Sequence, residues 1–171
     1  AVVLARGIVD YDAQAASELE GCAEHEDDEI GCEQYVLELC ASEKLGGCNV
    51  LRTNRMWKAL LSDLRCGEDA SRIAARFHAG VAEGLINAAA NARIETGINR
   101  VALSGGCLHN RRLARLLRSG LEEEGFKVYQ HRNISPGDGG LSYGQAVVAA
   151  AMLSKKHTEL RAARGDNAGL A

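Results

Sequence analysis

Residues 100–131, RVALSGGCLHNRRLARLLRSGLEEEGFKVYQH, constrain the fold more than any other stretch. A short apolar run ends in Gly105-Gly106. An arginine-rich helical pattern follows and stops at Gly125, and FKVYQH then reads as a second strand of alternating character. Strand–helix–strand order in so few residues implies a parallel pair with a right-handed crossover. The fold class is therefore α/β.

The rest of the chain reads as mostly helical in its first half. Residues 13–25 (AQAASELEGCAEH) have helical composition. Residues 31–40 (GCEQYVLELC) form a short apolar segment that fits strand or helix, and the acidic run at 24–29 reads as a solvated loop or helix end. Gly46-Gly47 breaks the chain ahead of NVLRTNRMWKALLSDLRCG, where Met56, Leu60, Leu61 and Leu64 recur at helical spacing and Gly67 can stop the helix. The clearest helix spans 69–97, with Ile73, Phe77, Val81, Leu85, Ala88 and Ala92 spaced by three or four. Asp69 or Ser71 can cap its start and Gly97 its end. After the second strand, NISPGDGG is a loop holding the single proline, Pro136, and LSYGQAVVAAAMLSKK is a last helix. A folded lobe over 1–155 and a frayed or disordered tail over 156–171 are expected.

Length and charge limit the function. At 171 residues the chain suits one domain or one lobe of a larger one. A formal net charge of −3 argues against nucleic acid as a partner, and no apolar run reaches membrane-spanning length. Six cysteines at 22, 32, 40, 48, 66 and 107 include no Cys-x-x-Cys pair. They read as reduced thiols of a cytoplasmic protein. The four between 22 and 48 leave a disulfide or metal cluster as an alternative.

Two glycine-rich junctions carry the functional signal. In SGGCLHN the glycines let backbone approach a ligand, and the first N–H groups of the next helix can face anionic oxygens. The pattern is neither a Walker loop nor G-x-G-x-x-G. On spacing alone a mere tight turn is the stronger reading, and Asn110 fits a helix cap first and a contact to a ribose second. Cys107, near the same helix start, is a packed thiol or a nucleophile; Arg111, Arg115 and Arg118 form a solvated stripe or a phosphate contact. In SPGDGG, Asp138 fits a metal ligand at phosphates or a helix cap. Both junctions fall at carboxyl ends of neighbouring strands, where open α/β sheets bind ligands.

The wording of these motifs is similar to one family. RFHAGVAEGL, VALSGGCLHN, GFKVY and PGDGGLSYGQAVVAA, with VDYDAQAASELE near the start, resemble the C-terminal part of the HypF carbamoyltransferases that mature [NiFe]-hydrogenases. The likeness runs from about residue 8 to 153. It implies one lobe of an actin/Hsp70-like (ribonuclease H-like) nucleotide-binding fold. It also implies ATP or carbamoyl-adenylate as the bound nucleotide, a divalent metal at its phosphates, and transfer of the carbamoyl group to the C-terminal cysteine of a HypE-type partner. By motif position, Gly105, Gly106, Asn110 and Glu20 (less so Glu18) would contact nucleotide and Asp138 would bind the metal. His78 belongs to the pattern in a structural role.

The sequence also departs from the family. The His-x-x-x-His motif of the preceding lobe is absent; His25, His78, His109, His131 and His157 are scattered. Ala13 stands where the family usually has Gly, and CLH replaces a more usual Val-Phe-Gln. The chain is thus expected to need upstream domains of the same polypeptide for catalysis. Two alternatives remain: a tRNA threonylcarbamoyl-transfer lobe, which usually reads Asp-Asn-Ala where this chain has DGGLSYGQ, and a non-catalytic nucleotide-binding or docking fragment.

Overall fold

The computed structural model describes residues 8, 10–23, 35–42 and 48–163, with backbone alone from 157 onward. The elements run α1 (Gln14–Cys22), β1 (Glu38–Ser42), β2 (Cys48–Arg52), α2 (Asn54–Cys66), α3 (Ala70–Thr96), β3 (Arg100–Leu103), α4 (Arg111–Glu123), β4 (Lys127–Gln130) and α5 (Leu141–Ala163). Short 3-10 turns, Gly106–His109 and Asp138–Gly140, precede α4 and α5.

The β3–α4–β4 unit forms as the sequence dictates. β3 and β4 pair in parallel, with Val101 opposite Val128 and Leu103 opposite Gln130. α4 buries Leu116, Leu117 and Leu121 on one face, while its other face carries an Arg118–Glu122 ion pair of 2.9 Å. Each fully buried leucine contributes roughly 2 kcal/mol. These leucines close a core with Ala82 and Ile86 of α3 and with Phe126.

α3 is the spine of the chain, touching α1, α2, α4, β1 and β2. Asp69 caps its start by accepting the Ser71 N–H at 2.9 Å, and this bond holds the Asp69 carboxyl below its ordinary range. Gly97, at φ 71°, closes its end. Its glycine positions are packing devices. A Cβ on Gly80 would overlap the Tyr35 carbonyl oxygen, so this segment lies directly on the helix backbone. A second core joins Tyr35, Met56, Leu60 and Ile73. There Asp63 accepts from the Tyr35 hydroxyl at 2.7 Å and pairs with Arg76, also at 2.7 Å. Burial, followed by this contact with Asp63, pushes the Tyr35 phenol well above its ordinary range.

Several expectations are corrected. Residues 48–52 are not the approach to a helix but strand β2, antiparallel to β1 with Cys40 opposite Val50. That pairing also makes 38–42 a strand. On α3 the buried positions are Ile73, Ala74, His78, Gly80, Ala82, Gly84 and Ile86, whereas Leu85 is exposed. A helix packed on several sides buries more than one stripe, which a single-face pattern misses. α5 continues to Ala163, past residue 155. Cys22, Cys40, Cys48, Cys66 and Cys107 are free thiols, and no group of three His, Cys, Asp or Glu could hold a metal among the described residues. Cys32, the acidic run at 24–29 and residues 164–171 lie outside the described residues.

Candidate functional site

The two glycine-rich junctions lie side by side because β3 and β4 are neighbours, and they are bonded together. Gly105 N–H donates to the Pro136 carbonyl at 2.8 Å. His131 Nε2 lies 3.0 Å from Ser104 Oγ, and His109 Nε2 lies 3.3 Å from Ser135 Oγ. Gly105 adopts φ 113°, ψ 157°, a conformation essentially restricted to glycine. A Cβ on Gly106 would meet nothing within 4 Å, so its backbone borders open space.

These loops and α5 line a cleft of about 670 Å³. Its lining includes Gly105 and Gly106, Pro136 to Asp138, and Leu141, Val148 and Met152 of α5. Asp138, an exposed residue, supplies the one carboxylate of that lining. It is a single carboxylate, so a divalent ion held there would take its remaining ligands from phosphate oxygens, water or other domains. Gly105, Gly106 and Asp138 are thus brought together as expected.

Asn110 and Glu20 do not line that cleft; they meet at the start of α4. Glu20 Oε1 accepts from Arg111 N–H at 2.6 Å and from Arg112 N–H at 3.3 Å. Asn110 Oδ1 accepts from Leu113 N–H at 2.8 Å, and its Nδ2 lies 2.8 Å from His78 Nε2. The expectation that these N–H groups face a ligand is therefore corrected: side chains of the chain itself satisfy them. Arg112, beside the Arg111, Arg115 and Arg118 stripe, turns inward and donates to the Ala23 carbonyl. Glu20 lines a separate cavity of about 460 Å³ with Ser17, Gly21, Arg111, Arg112 and Arg115. The bonds from His131, His109 and Ser135 went unforeseen, since contacts between loops leave no local sequence pattern.

The family described as "Carbamoyltransferase, Kae1-like Domain, second subdomain" matches residues 1–145. The chain belongs to the HypF carbamoyltransferase family. It is similar to the "Carbamoyltransferase HypF homolog" of Cupriavidus necator, at 42% identity over 54% of this chain and 23% of that protein. The HypF of Rhodobacter capsulatus is 44% identical over 53% of this chain and 12% of its own length. Among solved structures, full-length HypF in its phosphate- and nucleotide-bound form superposes with a TM-score of 0.77 at 35% identity, covering 89% of this chain and 19% of that one. The HypF of T. kodakarensis shares the fold at TM-score 0.66 and 22% identity. The fold is thus the actin/ribonuclease H-like type of the HypF Kae1-like domain. The chain spans less than a quarter of the length of these relatives. Among the described residues no helix is long and apolar enough to cross a membrane.

Proposed function

We propose that the HypF segment formed by this chain is one wall of the nucleotide cleft in which a carbamoyl group is carried as its adenylate and passed to the C-terminal cysteine of a HypE-type protein. The pairing of the two junctions, fixed by the Gly105–Pro136 bond and opening on Asp138, carries the reading. Gly105 and Gly106 offer backbone to the nucleotide. Asn110 and Glu20, which lie outside the cleft lining and brace the start of α4, would meet the sugar of a nucleotide that extends beyond it. Asp138 would supply one ligand to a divalent ion. Such an ion would neutralise phosphate charge; binding and orienting the nucleotide is the work of the chain.

The upstream domains complete the cleft. Tyr143, Val147, Val148, Met152 and Leu153 of α5 are all at least half exposed, an apolar face on which a preceding subdomain can sit. Calorimetry with ATP, with and without a divalent metal, tests the reading. Asp138→Ala is expected to remove the metal-dependent part of the affinity. In a full-length carbamoyltransferase carrying this segment, unimpaired carbamoyl transfer after Asn110→Ala and Asp138→Ala together would refute the site assignment.

A further inference from the structure

His78 sits in the interior of α3, 3% exposed, yet both ring nitrogens are engaged. Nδ1 lies 2.7 Å from the Ala74 carbonyl oxygen. A carbonyl only accepts, so Nδ1 carries the proton and, in the neutral ring, Nε2 is bare. That bare nitrogen accepts from Asn110 Nδ2 at 2.8 Å. An amide with its nitrogen towards His78 has its oxygen directed elsewhere, and this Oδ1 takes the Leu113 N–H. Each assignment fixes the next, from Ala74 to the first turn of α4. Turning the amide over would set Oδ1 against the bare Nε2 and Nδ2 against the Leu113 N–H, leaving both partners unsatisfied.

We propose that His78 is a positioning residue for the candidate site: from α3 it sets the orientation of the Asn110 amide, and through it the start of α4 and the Gly106–Asn110 turn that borders the cleft. Only the final consequence, an effect on nucleotide affinity, rests on the nucleotide reading above. With one amide hydrogen given to His78 and one Oδ1 lone pair to Leu113, Asn110 keeps one of each for a ligand.

The surroundings keep His78 neutral. Burial lowers its basicity; the bond to Ala74 and Glu20 on α1 oppose this, and Arg112 on α4 reinforces it. The Phe77 ring meets it edge-on at 5.9 Å. Protonation would place an N–H at Nε2 facing the Asn110 N–H and turn the amide away from Leu113.

Nitrogen-15 imidazole spectra of the 171-residue chain at pH 7.5 test the premise. The expected result is Nδ1 protonated and Nε2 bare, with coupling to Asn110 Nδ2 across the bond. An Nε2-protonated ring overturns the proposal. Hydrogen exchange at Leu113 N–H is then compared in His78→Leu and His78→Gln. The glutamine carbonyl can replace the acceptor, whereas leucine cannot. Exchange should quicken about five- to tenfold in His78→Leu, the size of a lost cap. It should return towards the starting rate in His78→Gln, with the Leu121 N–H unmoved in both. Equal acceleration at Leu113 and Leu121 in both variants would make His78 mere packing and sink the idea. Should His78→Leu not fold, the spectrum of the unsubstituted chain and the His78→Gln rates still decide. ATP affinity is expected to follow the Leu113 rates. A chain that binds no ATP but shows these spectra and rates supports the positioning role and refutes the nucleotide reading instead. ATP bound equally by all three proteins would overturn the reach of His78 into the site.

Discussion

α4 and α5 both follow a strand and a glycine-rich turn, yet one is finished within the chain and the other is not. α4 is held at its start by Glu20 and Asn110, at its face by Leu116, Leu117 and Leu121, and near its end by Arg93. The Arg93 guanidinium donates to the Glu124 carbonyl at 2.7 Å and lies 4.1 Å over the Phe126 ring. α5 touches mainly the short turn before it and leaves its large apolar side chains to solvent. The difference separates scaffold from interface. The α4 junction sets the positions of Gly105 and Gly106. The α5 junction carries Asp138 and the apolar face that HypF's other domains can cover.

The sharpest way to break this contrast is a pair of truncations. Leu121→Ala, fully buried, should cost about 2–5 kcal/mol in urea denaturation, whereas Leu153→Ala, 68% exposed, should stay within about 0.5 kcal/mol. Equal costs would mean that α5 packs within this chain as α4 does. Next in size, Asp138→Ala should weaken metal-dependent ATP binding on the order of 10–100-fold without moving the denaturation midpoint. Asn110→Ala should also weaken ATP binding, but unlike Asp138→Ala it should cost about 1 kcal/mol of stability through the lost cap at α4.

Between pH 7.5 and 5, acid should act on the α4 side through His78. Burial lowers the folded pKa of His78 below the ordinary 6.5, so the unfolded chain binds this proton more readily. Its contribution is therefore fully present above pH 6.5 and is lost as pH falls towards the folded value. His78→Gln should flatten that slope in denaturation curves recorded between pH 7.5 and 5. A further effect belongs to Ala13, at φ 63° the one non-glycine residue of positive φ among those described. It sits at the start of α1 in the left-handed region that favours glycine. Ala13→Gly should stabilise the chain by about 1 kcal/mol, read as a raised melting temperature.

How much of this was legible in the sequence depended on where the determining contacts lie. The β3–α4–β4 unit, the caps at Asp69 and Gly97, and the grouping of Gly105, Gly106 and Asp138 are local or follow from strand order. β2 was not legible, because residues 48–52 become a strand only by pairing with 38–42. Glu20 was assigned from motif position alone. Its bonds to Arg111 and Arg112 N–H span more than ninety residues, and no spacing rule reaches so far. Nor could the spacing decide between a cap and a ligand contact for Asn110. In the structure it is a cap, tied to a buried histidine thirty-two residues earlier.

The central claim is that the two junctions are one nucleotide-facing wall. A nitrogen-15 amide titration of the chain with ATP and a divalent metal tests it most directly. Shifts concentrated at Gly105, Gly106 and Gly137–Gly140, with α2 silent, are the predicted result. Shifts confined to the exposed Arg111–Arg118 face, or none at millimolar ATP, would contradict it.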